Sequence, residues 1–125
     1  MKVGDYGKEL IIDLHDCDVS TFNRNSLDAY FEQICRTIKM QKCERYFWDD
    51  VGVPKEERQT EPHLKGTSAI QFMLTSNITI HTLSLLQKVF INIFSCKDFD
   101  SDIAAEFSRE WFGGRIVHIE SIWRI

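Results

Sequence analysis

The chain has 125 residues, of which 43% are hydrophobic and 27% are charged, and its formal net charge is −4. This composition is typical of a single folded domain over residues 1–125 and excludes a disordered chain. The acidic balance argues against a general nucleic-acid-binding protein, and no apolar run approaches the ~20 residues that a membrane span needs.

The N-terminal residues and the cysteines indicate a reducing compartment. The first ten residues do not have the pattern of a signal peptide, because they include Lys2, Asp5, Lys8 and Glu9. No two of the cysteines form a Cys-x-x-Cys motif, so no metal site is expected at Cys17, Cys35, Cys43 or Cys96. We therefore expect a cytoplasmic protein with free thiols.

The first third of the chain predicts a strand, a helix and a second strand. A β-rich run over 7–15 predicts the first strand. Apolar residues at steps of three and four between Leu27 and Ile38 predict a helix, with Asn25 or Ser26 as its N-cap. The run over 43–48 predicts the second strand.

The remainder predicts a long loop, three strands, a helix and a final strand. The loop over 51–65 holds both prolines and is a candidate lid or partner contact. Alternating or β-branched residues predict strands over 68–74, 78–81 and 89–96, and the last strand covers 115–123. The second helix is capped by Asp100 or Ser101 and ends at Gly113-Gly114.

The order β-α-β-β-β-β-α-β predicts an α+β fold, a two-layer sandwich in which two helices cover one face of a mostly antiparallel sheet. The strand at 89–96 is apolar on both faces, which suggests that the sheets of two subunits stack.

The central strands carry a set of short motifs in a fixed order. Gly66-Thr67-Ser68 is followed by Thr75-Ser76-Asn77-Ile78-Thr79-Ile80-His81-Thr82, and then by Phe94-Ser95-Cys96. This pattern resembles the small prokaryotic-type S-adenosylmethionine decarboxylases, where Glu-Ser-His precedes Leu-Thr-Ile-His-Thr and a Phe-Thr-Cys follows. The runs over 7–18 and 115–118 resemble the first and last strands of that family, whereas residues 42–65 do not align with it.

The resemblance implies a cofactor that the protein makes from its own chain. Ser76 attacks the carbonyl of Thr75, the chain is cut between these residues, and a pyruvoyl group derived from Ser76 remains. His81 matches the processing base, Cys96 the proton donor, and Ser68 a supporting residue that aids processing or substrate binding. The pyruvoyl carbonyl forms a Schiff base with the substrate amine and accepts the electrons released with carbon dioxide.

Each of these residues also has a purely structural interpretation. Ser76 can be an ordinary strand serine, His81 a structural histidine, and Cys96 a small buried hydrophobic residue. The aromatic run Tyr46-Phe47-Trp48 can either stack on an adenine or pack in the core. The odd spacing of Ser76 and His81 places them on opposite faces of a straight strand, so their cooperation requires a turn or bulge.

Three departures from the family pattern leave alternative functions open. Thr75 replaces a Glu, Asn77 replaces a His, and Leu83-Ser84-Leu85 replaces Trp-Pro-Glu. The leading hypothesis is a pyruvoyl-dependent S-adenosylmethionine decarboxylase of spermidine biosynthesis, a homodimer that binds no nucleic acid, membrane or metal. The alternatives are a pyruvoyl decarboxylase of arginine or ornithine, and an uncleaved regulatory homologue without catalytic activity.

Overall fold

The computed structural model describes residues 4–125. Its two helices and six strands follow the predicted order, with short 3₁₀ turns at Val19–Thr21 and Lys55–Glu57. In chain order the elements are β1 (Gly7–His15), α1 (Arg24–Thr37), β2 (Lys42–Trp48), β3 (Gly66–Met73), β4 (Ser76–Leu83), β5 (Lys88–Ser95), α2 (Ser101–Phe112) and β6 (Arg115–Arg124).

The strands form one six-stranded sheet in the order β2-β3-β4-β5-β1-β6, and all neighbouring strands are antiparallel. Both helices pack on one face of this sheet, where the alternate residues of β1, β4 and β5 are buried. The predicted two-layer α+β sandwich is therefore confirmed.

The N-cap of α1 differs from the prediction. Asn23, rather than Asn25 or Ser26, precedes the helix in extended backbone, and its side chain accepts a hydrogen bond from the Ser26 N–H at 2.9 Å. Asn25 and Ser26 lie within the first turn. The predicted apolar stripe is buried as expected and includes Leu27, Tyr30, Phe31, Ile34 and Cys35.

The limits of α2 agree with the sequence prediction. Asp100 caps the helix by accepting the Ile103 N–H at 3.0 Å, and Gly113 ends it with a φ of +62°. A glycine adopts this left-handed conformation without a steric cost. The most buried face is made of small residues and one aromatic, namely Ala104, Ala105, Ser108 and Phe112.

Strand β3 turns its less hydrophobic side towards the core. Gln71 is fully buried, whereas Phe72 on the opposite side is 41% exposed. The Gln71 amide is satisfied by donating to the carbonyls of Cys43 and Phe72, at 3.0 and 2.7 Å. These bonds offset the cost of burying a polar side chain.

The second face of the sheet is not covered by either helix. We call it the open face and define it by the outward residues of the central strands, which are Ser68, Ile70, Phe72, Asn77, Thr79, His81, Phe90, Asn92 and Phe94. Its apolar residues are only partly shielded, as the composition of β5 predicts.

Candidate functional site

The hairpin that joins β3 to β4 contains a strained residue. Met73 pairs with Ser76, so Leu74 and Thr75 form a two-residue turn. Thr75 has a φ of +52°, a left-handed conformation that crowds its branched Cβ. Such a conformation costs about 1–3 kcal/mol and persists only where the surrounding structure enforces it. The strain lies on the residue whose carbonyl precedes Ser76.

Ser76 is the first residue of β4 and is almost completely buried, with 6% of its surface exposed. Its hydroxyl donates to the carbonyl of Leu74 at 3.2 Å. Its oxygen accepts the backbone N–H of Cys96 at 2.9 Å. Two hydrogen bonds, one to the turn and one from the residue after β5, therefore fix the Oγ atom.

Cys96 follows the last residue of β5 and lies beside the same turn. Its thiol is 3.5 Å from the carbonyl of Leu74, the atom that also accepts the Ser76 hydroxyl. The side chain is only partly buried. The structure thus brings Ser76 and Cys96 together as one pair at this end of the sheet.

Ser68 and His81 form a second pair, on the open face. They face each other in the β3–β4 register, and the Ser68 Oγ lies 2.7 Å from the His81 Nδ1. The imidazole is exposed, so its other nitrogen is accessible. A hydroxyl held against an imidazole is an arrangement suited to proton transfer.

The two pairs do not meet within one chain. β4 pairs without interruption with both β3 and β5 and contains no bulge between Ser76 and His81. The two residues are five positions apart, so the strand separates them by about 16 Å and directs their side chains to opposite faces. The turn or bulge that a direct interaction would require is not present.

An open cleft of about 570 Å³ lies over the Ser68–His81 pair. Residues of the long loop after β2, including Gln59, His63 and Leu64, form one wall, and Trp48 and Phe90 add aromatic surface. Sequence reasoning did not identify Gln59 or His63, because this loop does not align with the motifs that carry the resemblance. Only the three-dimensional path of the loop brings them to the cleft.

The aromatic run of β2 divides between the two faces of the sheet. Phe47 packs against the hydrophobic core, whereas Tyr46 and Trp48 are 58% and 56% exposed. Tyr46 and Trp48 also line a smaller cleft of about 250 Å³, together with Ser68 and His81. The core-packing interpretation therefore applies to Phe47, whereas Tyr46 and Trp48 lie exposed beside the clefts.

Two further expectations concern metals and membranes. Within residues 4–125, no three His, Cys, Asp or Glu side chains are grouped so that they could hold a metal ion. None of the helices described there is long and apolar enough to cross a membrane.

Two of three comparisons with known proteins agree with the family resemblance of these motifs. A search of curated protein sequences finds no match. Among solved structures, the adenosylmethionine decarboxylase from Aquifex aeolicus VF5 has a similar fold, with a TM-score of 0.74 and 15% sequence identity over 96% of this chain and 91% of that one. The family model for S-adenosylmethionine decarboxylase matches residues 8–125. The chain belongs to the S-adenosylmethionine decarboxylase family.

Proposed function

We propose that the protein is a pyruvoyl-dependent S-adenosylmethionine decarboxylase that cuts its own chain between Thr75 and Ser76. The observation that carries this proposal is the Ser76 hydroxyl, which is buried and hydrogen-bonded in a strained turn directly beside Cys96. A cytoplasmic enzyme of this kind would supply the aminopropyl donor for spermidine synthesis.

The first step uses atoms that the turn already brings together. The Ser76 Oγ attacks the carbonyl carbon of Thr75, the peptide C–N bond breaks, and the proton of the hydroxyl ends on the freed amine of Ser76. The product is an ester between Thr75 and the Ser76 side chain. Because cleavage frees Thr75 from its left-handed conformation, the strain in the turn favours this step.

The ester then breaks by β-elimination. A base removes the Cα proton of residue 76, the Cβ–Oγ bond breaks, and the carboxylate of Thr75 leaves with the Oγ atom. Water then hydrolyses the bond between the nitrogen and the Cα of residue 76. The nitrogen is released as ammonia, and the oxygen of water becomes the keto oxygen of the pyruvoyl group. The N–H of Cys96 already donates to the Oγ and stabilises the negative charge that develops there.

The residues of the turn also fit the later decarboxylation. The pyruvoyl group supplies an electron sink for an amino acid bound through its amine. The thiol of Cys96 lies beside residue 76 and can return a proton to the substrate carbon that has lost carbon dioxide. The Ser68–His81 pair can move the proton during chain processing.

We propose that two chains form a homodimer through their open faces, because Ser76 and His81 of one chain cannot meet. In a two-fold stack whose axis runs across the strands, the start of β4 in one copy lies over the end of β4 in the other. Such a stack would bring the Ser68–His81 pair of one copy over the end of its neighbour's sheet at which Cys96 and the backbone of residue 76 lie, while the Ser76 side chain points to the helix-covered face. It would also shield apolar residues such as Ile70 and Phe90.

The cleft supports S-adenosylmethionine over arginine or ornithine as substrate. Among the described residues that line it, none is Asp or Glu, so this chain offers no carboxylate to a guanidinium or ammonium side chain. The exposed face of Trp48 suits an adenine ring, which arginine and ornithine lack. Release of carbon dioxide should therefore be measured with all three compounds, and activity on arginine or ornithine alone would contradict this choice.

The intact mass of the purified protein tests the cleavage. We expect two fragments from the wild type, one that ends at Thr75 and one that begins at residue 76. The second fragment should carry a carbonyl group that reacts with hydroxylamine. Ser76→Ala should give one chain of 14.7 kDa, while Ser121→Ala, on the edge strand β6, should be cleaved like the wild type. A wild type that stays intact would instead support the uncleaved regulatory homologue.

A further inference from the structure

Ser95 is a fully buried serine next to the candidate site. It is the last residue of β5 and has no exposed surface. Its hydroxyl donates to the carbonyl of Lys97 at 2.6 Å and accepts the Lys97 N–H at 3.1 Å. Both bonds close a tight turn around Cys96, which lies between the two residues. The hydroxyl therefore holds the chain at the point where the strand ends.

Gly7 on the adjacent strand leaves room for this turn. A Cβ atom at Gly7 would lie 1.9 Å from the carbonyl oxygen of Ser95 and 3.0 Å from the carbonyl carbon of Cys96. Backbone atoms cannot move away as a flexible side chain can. The backbones of β1 and of the Cys96 turn therefore approach each other more closely than any side chain at position 7 would allow.

A third contact ties the turn to the end of α1. The Lys97 ammonium donates to the carbonyl of Lys39 at 2.7 Å. The segment around Cys96 is thus held from inside by the Ser95 hydroxyl and from the residues after α1 by the Lys39 carbonyl, and its backbone lies close to that of Gly7.

We propose that Ser95 is a positioning residue, which holds the amide and the thiol of Cys96 against Ser76. The inference rests on the proposed function, because it concerns the geometry of the same cleavage and protonation. The Cys96 N–H reaches the Ser76 Oγ at 2.9 Å, and its donor direction is set by the turn that Ser95 closes. A displacement of about 1 Å at a reacting group can cost about 100-fold in rate.

Replacement of the Ser95 hydroxyl tests the inference. Ser95→Ala should slow the appearance of the two fragments at least tenfold. In the fraction that is cleaved, it should reduce kcat by a larger factor than it changes KM. Ser95→Thr restores the hydroxyl, and we expect it to cleave within threefold of the wild type. This rescue separates the role of the oxygen from that of the side-chain volume.

Ser108→Ala is the matched control for the loss of a buried hydroxyl. Ser108 is also fully buried, but its hydroxyl bonds with Tyr30 at 2.7 Å in the helix layer. We expect this variant to be less stable, yet to cleave at the wild-type rate. Ser95→Cys fills the volume with a weak hydrogen-bonding group and carries the test if Ser95→Ala does not fold.

Two results would overturn the inference while leaving the proposed function intact. One is that the wild type cleaves and the Ser95→Ala or Ser95→Cys variant cleaves at the same rate. The other is an equal slowing by Ser108→Ala, which would assign the effect to stability alone. A wild type that does not cleave would refute the proposed function, and the inference with it.

Discussion

The four cysteines of the chain lie in different surroundings, and only Cys96 lies beside Ser76. Cys17 and Cys35 are buried, and burial raises the pKa of each thiol to about 11. They stay protonated at neutral pH and serve as small core residues. Cys43 is exposed on the edge strand β2, whereas Cys96 contacts the turn before Ser76.

Cys96→Ala should separate chain cleavage from decarboxylation. The backbone N–H, which alanine retains, holds the Ser76 oxygen, so we expect both fragments to form. The thiol is lost, and the loss of a positioned proton donor should lower kcat by about 100-fold. Mass spectrometry and carbon dioxide release measure the two effects, with Cys43→Ala as the control. An uncleaved Cys96→Ala chain would assign the thiol a part in processing.

Asp49 gives the fold a predictable response to acid. Arg24 donates two hydrogen bonds to this carboxylate, at 2.7 and 2.8 Å, and joins the start of α1 to the end of β2. The Arg24 guanidinium holds the pKa of Asp49 below its ordinary value of 3.8. Because the carboxyl of the unfolded chain binds a proton more tightly than that of the native protein, the ion pair stabilises the fold fully above pH 3.8. This contribution to stability decreases as the pH falls below 3.8.

Asp49→Asn should therefore lower the free energy of unfolding by about 1 kcal/mol at neutral pH, since Arg24 is half exposed to solvent. The difference from the wild type should shrink as the pH falls below 3.8, because the carboxyl of the unfolded wild type is then protonated and the unfolded state is stabilised relative to the native state. Urea titrations at several pH values measure it. Asp16→Asn is the control, since the Asp16–Arg115 pair is exposed and should contribute little. A constant difference at all pH values would contradict the assignment.

At the scale of elements, the β3–β4 hairpin stores strain at the bond that we expect to break. Both flanking strands are paired along their full length, and this pairing holds the short turn in place. The strain is located at Thr75, whose φ is +52°. A branched side chain is unfavourable for stability here, and we connect its strain with the proposed cleavage.

Thr75→Gly should relieve this strain. In the uncleavable Ser76→Ala background, we expect glycine to raise the free energy of unfolding by about 1 kcal/mol, because it adopts a positive φ freely. Thr79→Gly, in the middle of β4, is the opposite control and should destabilise the protein. Denaturant titration measures both. If Thr75→Gly were also destabilising, the side chain of Thr75 would make a contribution that exceeds its strain.

The sequence predicts the order of elements well because periodicity and capping are local properties. Asp100 and Gly113 delimit α2 as expected. The buried side of β3 is not local, since Ile70 and Phe72 are more hydrophobic than Gln71 and yet lie on the open face. Only the register with β4 and the hydrogen bonds of Gln71 decide that orientation.

In the candidate site, too, the sequence predicts the local features but not the contacts between strands. The odd spacing of Ser76 and His81 correctly places them on opposite faces. Spacing does not reveal that His81 lies against Ser68, or that the amide of Cys96 reaches Ser76, because both contacts depend on strand register. The wall of the cleft formed by Gln59 and His63 depends on the path of a loop that has no periodic pattern.

At the scale of the whole molecule, the candidate residues of one chain form two separate pairs. The Ser76–Cys96 pair lies at the start of β4, and the Ser68–His81 pair lies near its end on the open face. Proton transfer requires groups within about 3 Å of each other, directly or through one water. In the homodimer that we propose, a second copy stacked on the open face would bring the two pairs closer together and would remove exposed apolar surface from water.

Complementation between two inactive variants tests that arrangement. His81→Ala should not cleave, because its neighbour lacks the base, and Ser76→Ala should not cleave, because it lacks the nucleophile. In the proposed heterodimer of the two, the intact Ser68–His81 pair of the Ser76→Ala chain would lie over the intact residue 76 of the His81→Ala chain. We therefore expect cleavage of the His81→Ala chain alone when both chains are co-expressed with distinct tags and purified together.

The control pairs His81→Ala with Ser68→Ala, since each chain then presents a damaged pair to its neighbour. No wild-type rate should be recovered there, although the heterodimer forms. Mass spectrometry of each tagged chain measures the outcome, and sedimentation measures the association. A copurified heterodimer of His81→Ala and Ser76→Ala in which neither chain is cut would rule out a site shared between subunits. Wild-type cleavage by His81→Ala alone would remove His81 from the processing reaction, and with it the need for a second copy.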